Sequence, residues 1–209
     1  MIVVSVNIRF GGRKISRRAT SIMSSVRAKT ARFFDSALVF VQECSPSAMA
    51  AIERIIGATH KGFARSDHAT MIGPFVATFV PHGSTYEVAW FETPHTTMGR
   101  DYHSVVDTRD RSVAVYNVHL DSCAASATVR DTQAREIVRD ASRFAMLGDL
   151  NERAKFVARG VRVQTRSWYV PGTDHKARVY KLAFLREDGV AERRVFFSDV
   201  PRVGVDHVR

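Results

Sequence analysis

The chain has 209 residues, and 31 Lys and Arg against 21 Asp and Glu give it a formal net charge of +10. Hydrophobic residues at 45% and charged residues at 25% are ordinary for a globular domain and exclude a disordered polyelectrolyte. No apolar run reaches the ~18–20 residues of a membrane span, and Cys44 and Cys123 are too few for a disulfide framework or a zinc finger.

Ile2–Ile8 alternates and is rich in β-branched residues, which predicts a strand without the basic head of a signal peptide. From Arg13 to Arg32 a helix is expected, with Ile15, Ala19, Ile22, Met23 and Val26 on one face. Its other face carries Arg13, Lys14, Arg17, Arg18, Arg27, Lys29 and Arg32 with no balancing acid. Ala37–Val41 is apolar throughout and reads as a strand buried on both faces. Ser45 and Pro46 open a second helix as N-cap and first-turn proline, Met49, Ile52, Ile55 and Ile56 form its stripe, and Gly57 ends it.

Residues 58–111 read as strands and loops, with strands at Met71–Pro81 and Tyr86–Phe91, and Ser112–Leu120 is a further strand. A helix over Ala127–Arg143 places Ala134, Ile137, Val138 and Ala141 on one face, and Phe144–Leu147 is a short buried strand. Strands at Val161–Gln164, Arg178–Leu185 and Val195–Phe197 complete the chain. With no repeat or linker, residues 1–209 are expected to form a single α/β (α+β) domain of two packed sheets with helices outside.

Polar residues recur where apolar strands end: Asn7, then Gln42-Glu43, then Asn117-Val-His119-Leu120, then Gly148-Asp149-Leu150-Asn151, then Asp206-His207. Strand ends share one rim of a sheet, so these side chains can converge. Hard oxygen donors without paired cysteines suit Mg²⁺ or Mn²⁺ beside a phosphate substrate. Nearby imidazoles can balance the charge of a pentacovalent phosphorus or handle its protons.

In order and context, these motifs resemble the endonuclease/exonuclease/phosphatase superfamily, the pancreatic-deoxyribonuclease and exonuclease III-like group. The resemblance runs from Val6 to His207, and Arg130 with Gln133 matches a common spacing in the helix before the fourth motif. It implies a four-layer α-β-β-α sandwich with an unusually short C-terminus, since the chain ends two residues after His207. It also implies that Glu43 is the main ligand of Mg²⁺ or Mn²⁺, with Asn7 and Asp206 completing the shell directly or through water. Asp149 and Asn151 would position and activate the attacking water, His119 would hold a phosphate oxygen, and His207 would stabilise the phosphorane or exchange a proton with it.

Asp174 is the candidate for the carboxylate that orients the last histidine. A carboxylate there fixes the tautomer and stabilises the imidazolium. An alternative assignment makes Thr173-Asp174-His175 the last motif. It is disfavoured because Asp149 and Asp174 are only 25 residues apart (174 − 149), which leaves no room for the penultimate strand. In Val205-Asp206-His207, Val205 stands where the family has a serine.

The implied activity is hydrolysis of nucleic-acid phosphodiesters by in-line attack of water, leaving 5′-phosphate and 3′-hydroxyl ends, with DNA favoured and RNA possible. Arg supplies 25 of the 31 basic residues, and its planar fork binds phosphate bidentately. Arg13 and Arg17, together with Arg166 and Trp168 in the basic segment Arg153–Lys181, are the candidate nucleic-acid contacts. The alternatives are a phosphatase or phosphodiesterase acting on a small or lipid phosphate, and a degenerate member that only binds nucleic acid. A cytoplasmic monomer of bacterial or phage origin, with no membrane partner, is expected.

Overall fold

The computed structural model describes residues 1–11, 14–65, 67, 74–122, 127–151 and 156–185. Its strands are β1 (Ile2–Asn7), β2 (Leu38–Cys44), β3 (His60–Phe63), β4 (Phe75–Pro81), β5 (Tyr86–Glu92), β6 (Asp101–Asp107), β7 (Asp110–His119), β8 (Arg143–Asp149), β9 (Val157–Arg159), β10 (Val161–Tyr169) and β11 (Lys176–Phe184). The helices are α1 (Ile15–Phe34), α2 (Pro46–Ile56) and α3 (Ala127–Ile137). One sheet has the order β10-β11-β1-β2-β4-β3 and the other β5-β6-β7-β8-β9.

Side-chain alternation sorts the apolar residues into layers. Val4 and Val6 of β1 and Val39 and Val41 of β2 pack under α1 and α2, against Ile22, Met23, Val26 and Ile52. Val3, Leu38 and Phe40 point the other way and meet Val115, Ala145 and Leu147 of the second sheet. Tyr116, Val118, Phe144 and Met146 face outward again, beneath Ala134 and Ile137 of α3. The order is therefore helices, sheet, sheet, helix, as the sequence motifs imply. Burial on both faces explains why β2 reads as an unbroken apolar run.

Polar groups also lie between the sheets. Gln42 donates to Asn117 Oδ1 at 2.7 Å and exchanges hydrogen bonds with Ser5. Asn117 in turn donates to the Ala77 carbonyl at 2.9 Å and to Thr78 Oγ1 at 3.1 Å, and His103 Nδ1 lies 2.9 Å from that hydroxyl. The amide motif residues Gln42 and Asn117 are thus spent on each other, fixing β2 over β7. Unpaired in this setting, each would cost about 1–3 kcal/mol.

Several boundaries move. The third helix stops at Ile137, not Arg143, because Arg143 begins β8 beside Val113 of β7. Strand β6 was missed because its buried face carries Asp101 and His103 beside Val105, which hides the apolar period. Burial lifts the Asp101 carboxyl to about 6 and lowers the His103 imidazole to about 3. Strand β10 continues past Gln164 to Tyr169 because it pairs with β11 along its whole length. Val195–Phe197 lies outside the described residues.

Gly148 shows why a motif residue has to be what it is. It sits at φ 122°, and a Cβ there would lie 2.3 Å from the Val118 carbonyl oxygen. Gly148→Ala is expected to cost about 3 kcal/mol from overpacking plus strain. In a chain of this size that lowers Tm by roughly 6–12 °C, measurable by thermal melting.

Candidate active site

The polar strand ends meet at one end of the sandwich, where β1, β2, β7 and β8 finish. Glu43 is delivered there by a bulge: the pairing of β2 with β4 shifts between Val41 and Cys44, and Glu43 adopts φ 55°. A bulge re-aims one side chain without ending the strand. Arg9 (φ 58°) and Asn151 (φ 50°) are also left-handed. Such backbone costs about 1–3 kcal/mol per residue and persists where surrounding contacts over-determine it.

Asn7 joins the two acids. Its Nδ2 donates to Glu43 Oε1 at 2.9 Å and to Asp149 Oδ2 at 2.8 Å, while its Oδ1 accepts from the Arg9 N–H at 2.8 Å. The Phe10 N–H donates to Glu43 Oε2 at 2.6 Å. Asn151 is tied in as well: its N–H donates to Asp149 Oδ1 at 3.0 Å and its Nδ2 to the Leu120 carbonyl at 2.7 Å. Burial opposes ionisation of Asp149, but His119, Asn7, His175 and the Asn151 N–H outweigh it and hold the carboxyl below its ordinary value.

Glu43, His119 and Asp149 each place a donor atom within 4.8 Å of the others. The buried Arg100 changes what this cluster can do. Its Nη1 lies 3.0 Å from His119 Nδ1, and a guanidinium only donates, so Nδ1 must be the acceptor. Burial, with Arg100 second, pushes His119 down to about 4, so the ring is neutral and its proton sits on Nε2. That nitrogen, 3.9 Å from Glu43 Oε1, is then a hydrogen-bond donor and has no lone pair for a metal. The oxygen donors left for a hard cation are Glu43 and Asp149, and that donor set fits Mg²⁺ or Mn²⁺.

Arg100 escaped the sequence reading because it precedes the unrecognised strand β6. Arg100→Met is expected to lower kcat about 10–100-fold, the usual cost of losing a group that orients an active-site imidazole. The same change should move the His119 titration, followed by NMR, up toward the ordinary histidine range.

Asp206 and His207 lie outside the described residues, as does Arg13. The reason for setting aside Thr173-Asp174-His175 does not hold, because β9 and β10 both fit between Asn151 and Val170. His175 Nδ1 lies 3.1 Å from Asp149 Oδ2. Thr173 Oγ1 donates to the Asn7 carbonyl at 3.0 Å and accepts from the His175 N–H at 3.1 Å. Immediately afterwards β11 pairs antiparallel with β1. Asp174 sits 3.6 Å from His175 Nε2 and 3.3 Å from Arg9 Nη1. Its histidine neighbour is thus the adjacent residue, His175.

The proposed nucleic-acid contacts separate. Arg17 and Arg166 are exposed, whereas Trp168 is partly buried against the core under α1. The exposed aromatic is its neighbour Tyr169, 72% accessible, with Lys176 Nζ 4.6 Å from the ring centroid.

No family model and no curated protein matches the sequence. Solved structures do match. An endonuclease/exonuclease/phosphatase from Bacteroides vulgatus aligns at a TM-score of 0.66 with 15% identity, over 88% of this chain and 98% of that one. The D. rerio TDP2 complexed with a single-strand DNA product aligns at 0.57 with 18% identity, over 89% and 82%. The mannosyl-6-phosphatase Bt3783 of Bacteroides thetaiotaomicron aligns at 0.58 with 14% identity, over 88% and 100%. The chain has the endonuclease/exonuclease/phosphatase fold.

Proposed function

We propose that the chain is a divalent-metal-dependent hydrolase of nucleic-acid phosphodiesters. The observation that carries this reading is the pair of carboxylates, Glu43 and Asp149, held together by one amide of Asn7 and facing a neutral imidazole donor. Glu43 and Asp149 would hold the ion, which when bound supplies charge stabilisation to the reacting phosphate. His119 Nε2–H would donate to a non-bridging phosphate oxygen. Asp149, ionised by its neighbours, would accept a proton from the attacking water, and Asn151 fixes its orientation. His175, whose Nδ1 lies 3.1 Å from Asp149 Oδ2, would take the proton-exchange role expected of the last motif. The new P–O bond forms as the P–O3′ bond breaks, and the proton lost by water balances the one gained by the leaving oxygen.

The surplus of cations favours a polyanionic substrate over a small phosphate ester, since a net charge of +10 raises the local concentration of nucleic acid. No helix among the described residues is long and apolar enough to cross a membrane.

The deciding experiment supplies supercoiled plasmid, linear duplex, single-stranded DNA and RNA, bis-p-nitrophenyl phosphate and sugar monophosphates, with Mg²⁺ or Mn²⁺ against EDTA. Metal-dependent cleavage of at least one diester is expected, with 5′-phosphate ends. Turnover of monophosphates alone, or of nothing, overturns the reading.

A further inference from the structure

An open pocket of about 340 Å³ is lined by Lys14, Arg17, Arg18, Ser21, Pro171 and Gly172. Three of its six lining residues are cations and none is an acid. Among the described residues, no carboxylate lies within salt-bridge distance of Lys14 or Arg17, and the first turn of α1 carries no acid. Arg18 has a different part. Its Nη2 donates to the Arg9 and Gly11 carbonyls, which anchors the segment after β1. A Cβ on Gly172 would stand 3.4 Å from Arg18 Cγ, so the turn before the last motif is packed directly on this wall.

The position of the pocket gives the cations a use. Gly172 is three residues from His175, at most roughly 11 Å of extended chain. A nucleic-acid strand carries one charge per about 3.4 Å of its axis. A strand with its reacting phosphate beside Asp149 and His175 therefore brings a phosphate within about three positions of it to the level of Gly172, where Lys14 and Arg17 line the pocket. A small monophosphate seated in the centre has no second group to place there.

We infer that this pocket is a binding site for a non-scissile phosphate of a nucleic-acid strand, held by Lys14 and Arg17 on a wall fixed by Arg18. The inference rests on the hydrolytic reading of the cleft and names the substrate class as polynucleotide. Its role is to position the strand, and the pocket itself touches no reacting atom.

Binding of a fluorescein-labelled single-stranded oligodeoxynucleotide to the full chain, read by anisotropy in EDTA, tests the site without turnover. Lys14→Gln and Arg17→Gln are each expected to raise Kd about five-fold to ten-fold. The double variant should show a salt dependence shallower by about 0.7 in log–log slope, the value for one phosphate of a single strand. Lys29→Gln removes the same charge from the exposed far end of α1 and should stay within about two-fold of the parent. Equal weakening by all three variants, or none by any, overturns the site. Hydrolysis of any of the diesters named above by the unaltered protein with Mg²⁺ or Mn²⁺ is scored separately. Its absence would remove the hydrolytic reading and leave the anisotropy result to decide the pocket.

Discussion

Asp149→Asn is expected to lower phosphodiester hydrolysis by at least about a thousand-fold, near 4 kcal/mol of transition-state stabilisation, while the fold survives. The carboxylate meets Asn7, His175 and Asn151 at once: Asn7 Nδ2 and the Asn151 N–H donate to it, and His175 Nδ1 lies within ion-pair distance. Asparagine has a single acceptor oxygen, so it can satisfy Asn151 or the Asn7 and His175 side but not both. One lost hydrogen bond costs about 1 kcal/mol, or roughly 2–4 °C of Tm in a chain this long. Glu43→Gln should behave alike, because Asn7 and the Phe10 N–H both donate to that carboxylate. Both variants should lose Mn²⁺ affinity by calorimetry. Activity retained at near-parental rates in either one would remove these carboxylates from the reaction centre.

The layers were legible because the strands that build them are buried on alternate or both faces and say so in their apolar pattern. Leu38–Val41 and Phe144–Leu147 are such strands. Strand β6 was illegible for the opposite reason: its inward positions carry Asp101 and His103, each with one hydrogen bond, from the Val76 N–H and with Thr78 Oγ1. Losing β6 also hid Arg100, whose importance depends on the pairing that lays Tyr102 beside Val118 and so brings Arg100 to His119. The roles of Asn7 and Gln42 were blurred for another reason. A motif names residue types, but the direction in which an amide points is set by its partners. Asn7 turns nitrogen, not oxygen, toward the acids because the Arg9 N–H occupies the oxygen.

A comparison of His175→Ala with His207→Ala decides which histidine completes the centre. His175→Ala is expected to lower kcat by about a hundred-fold to ten-thousand-fold, the range for a positioned proton donor or acceptor. On this assignment His207→Ala should stay within about two-fold of the parent. The argument rests on lengths and partners. Nine residues of β10 span about 30 Å, enough to run the height of the sandwich before the chain turns at residues 170–175 and returns as β11. The turn is held to β1 by Thr173 through the Asn7 carbonyl, so the residue that pins the two acids also registers the histidine. Thr173→Val removes that tie without touching either acid. It should cost about ten-fold in kcat with little change in KM, as loss of an orienting contact does. An inactive His207→Ala beside an active His175→Ala would return the last motif to Asp206 and His207. The described contacts favour the opposite result, because Asp149 already has His175 as its imidazole partner at 3.1 Å.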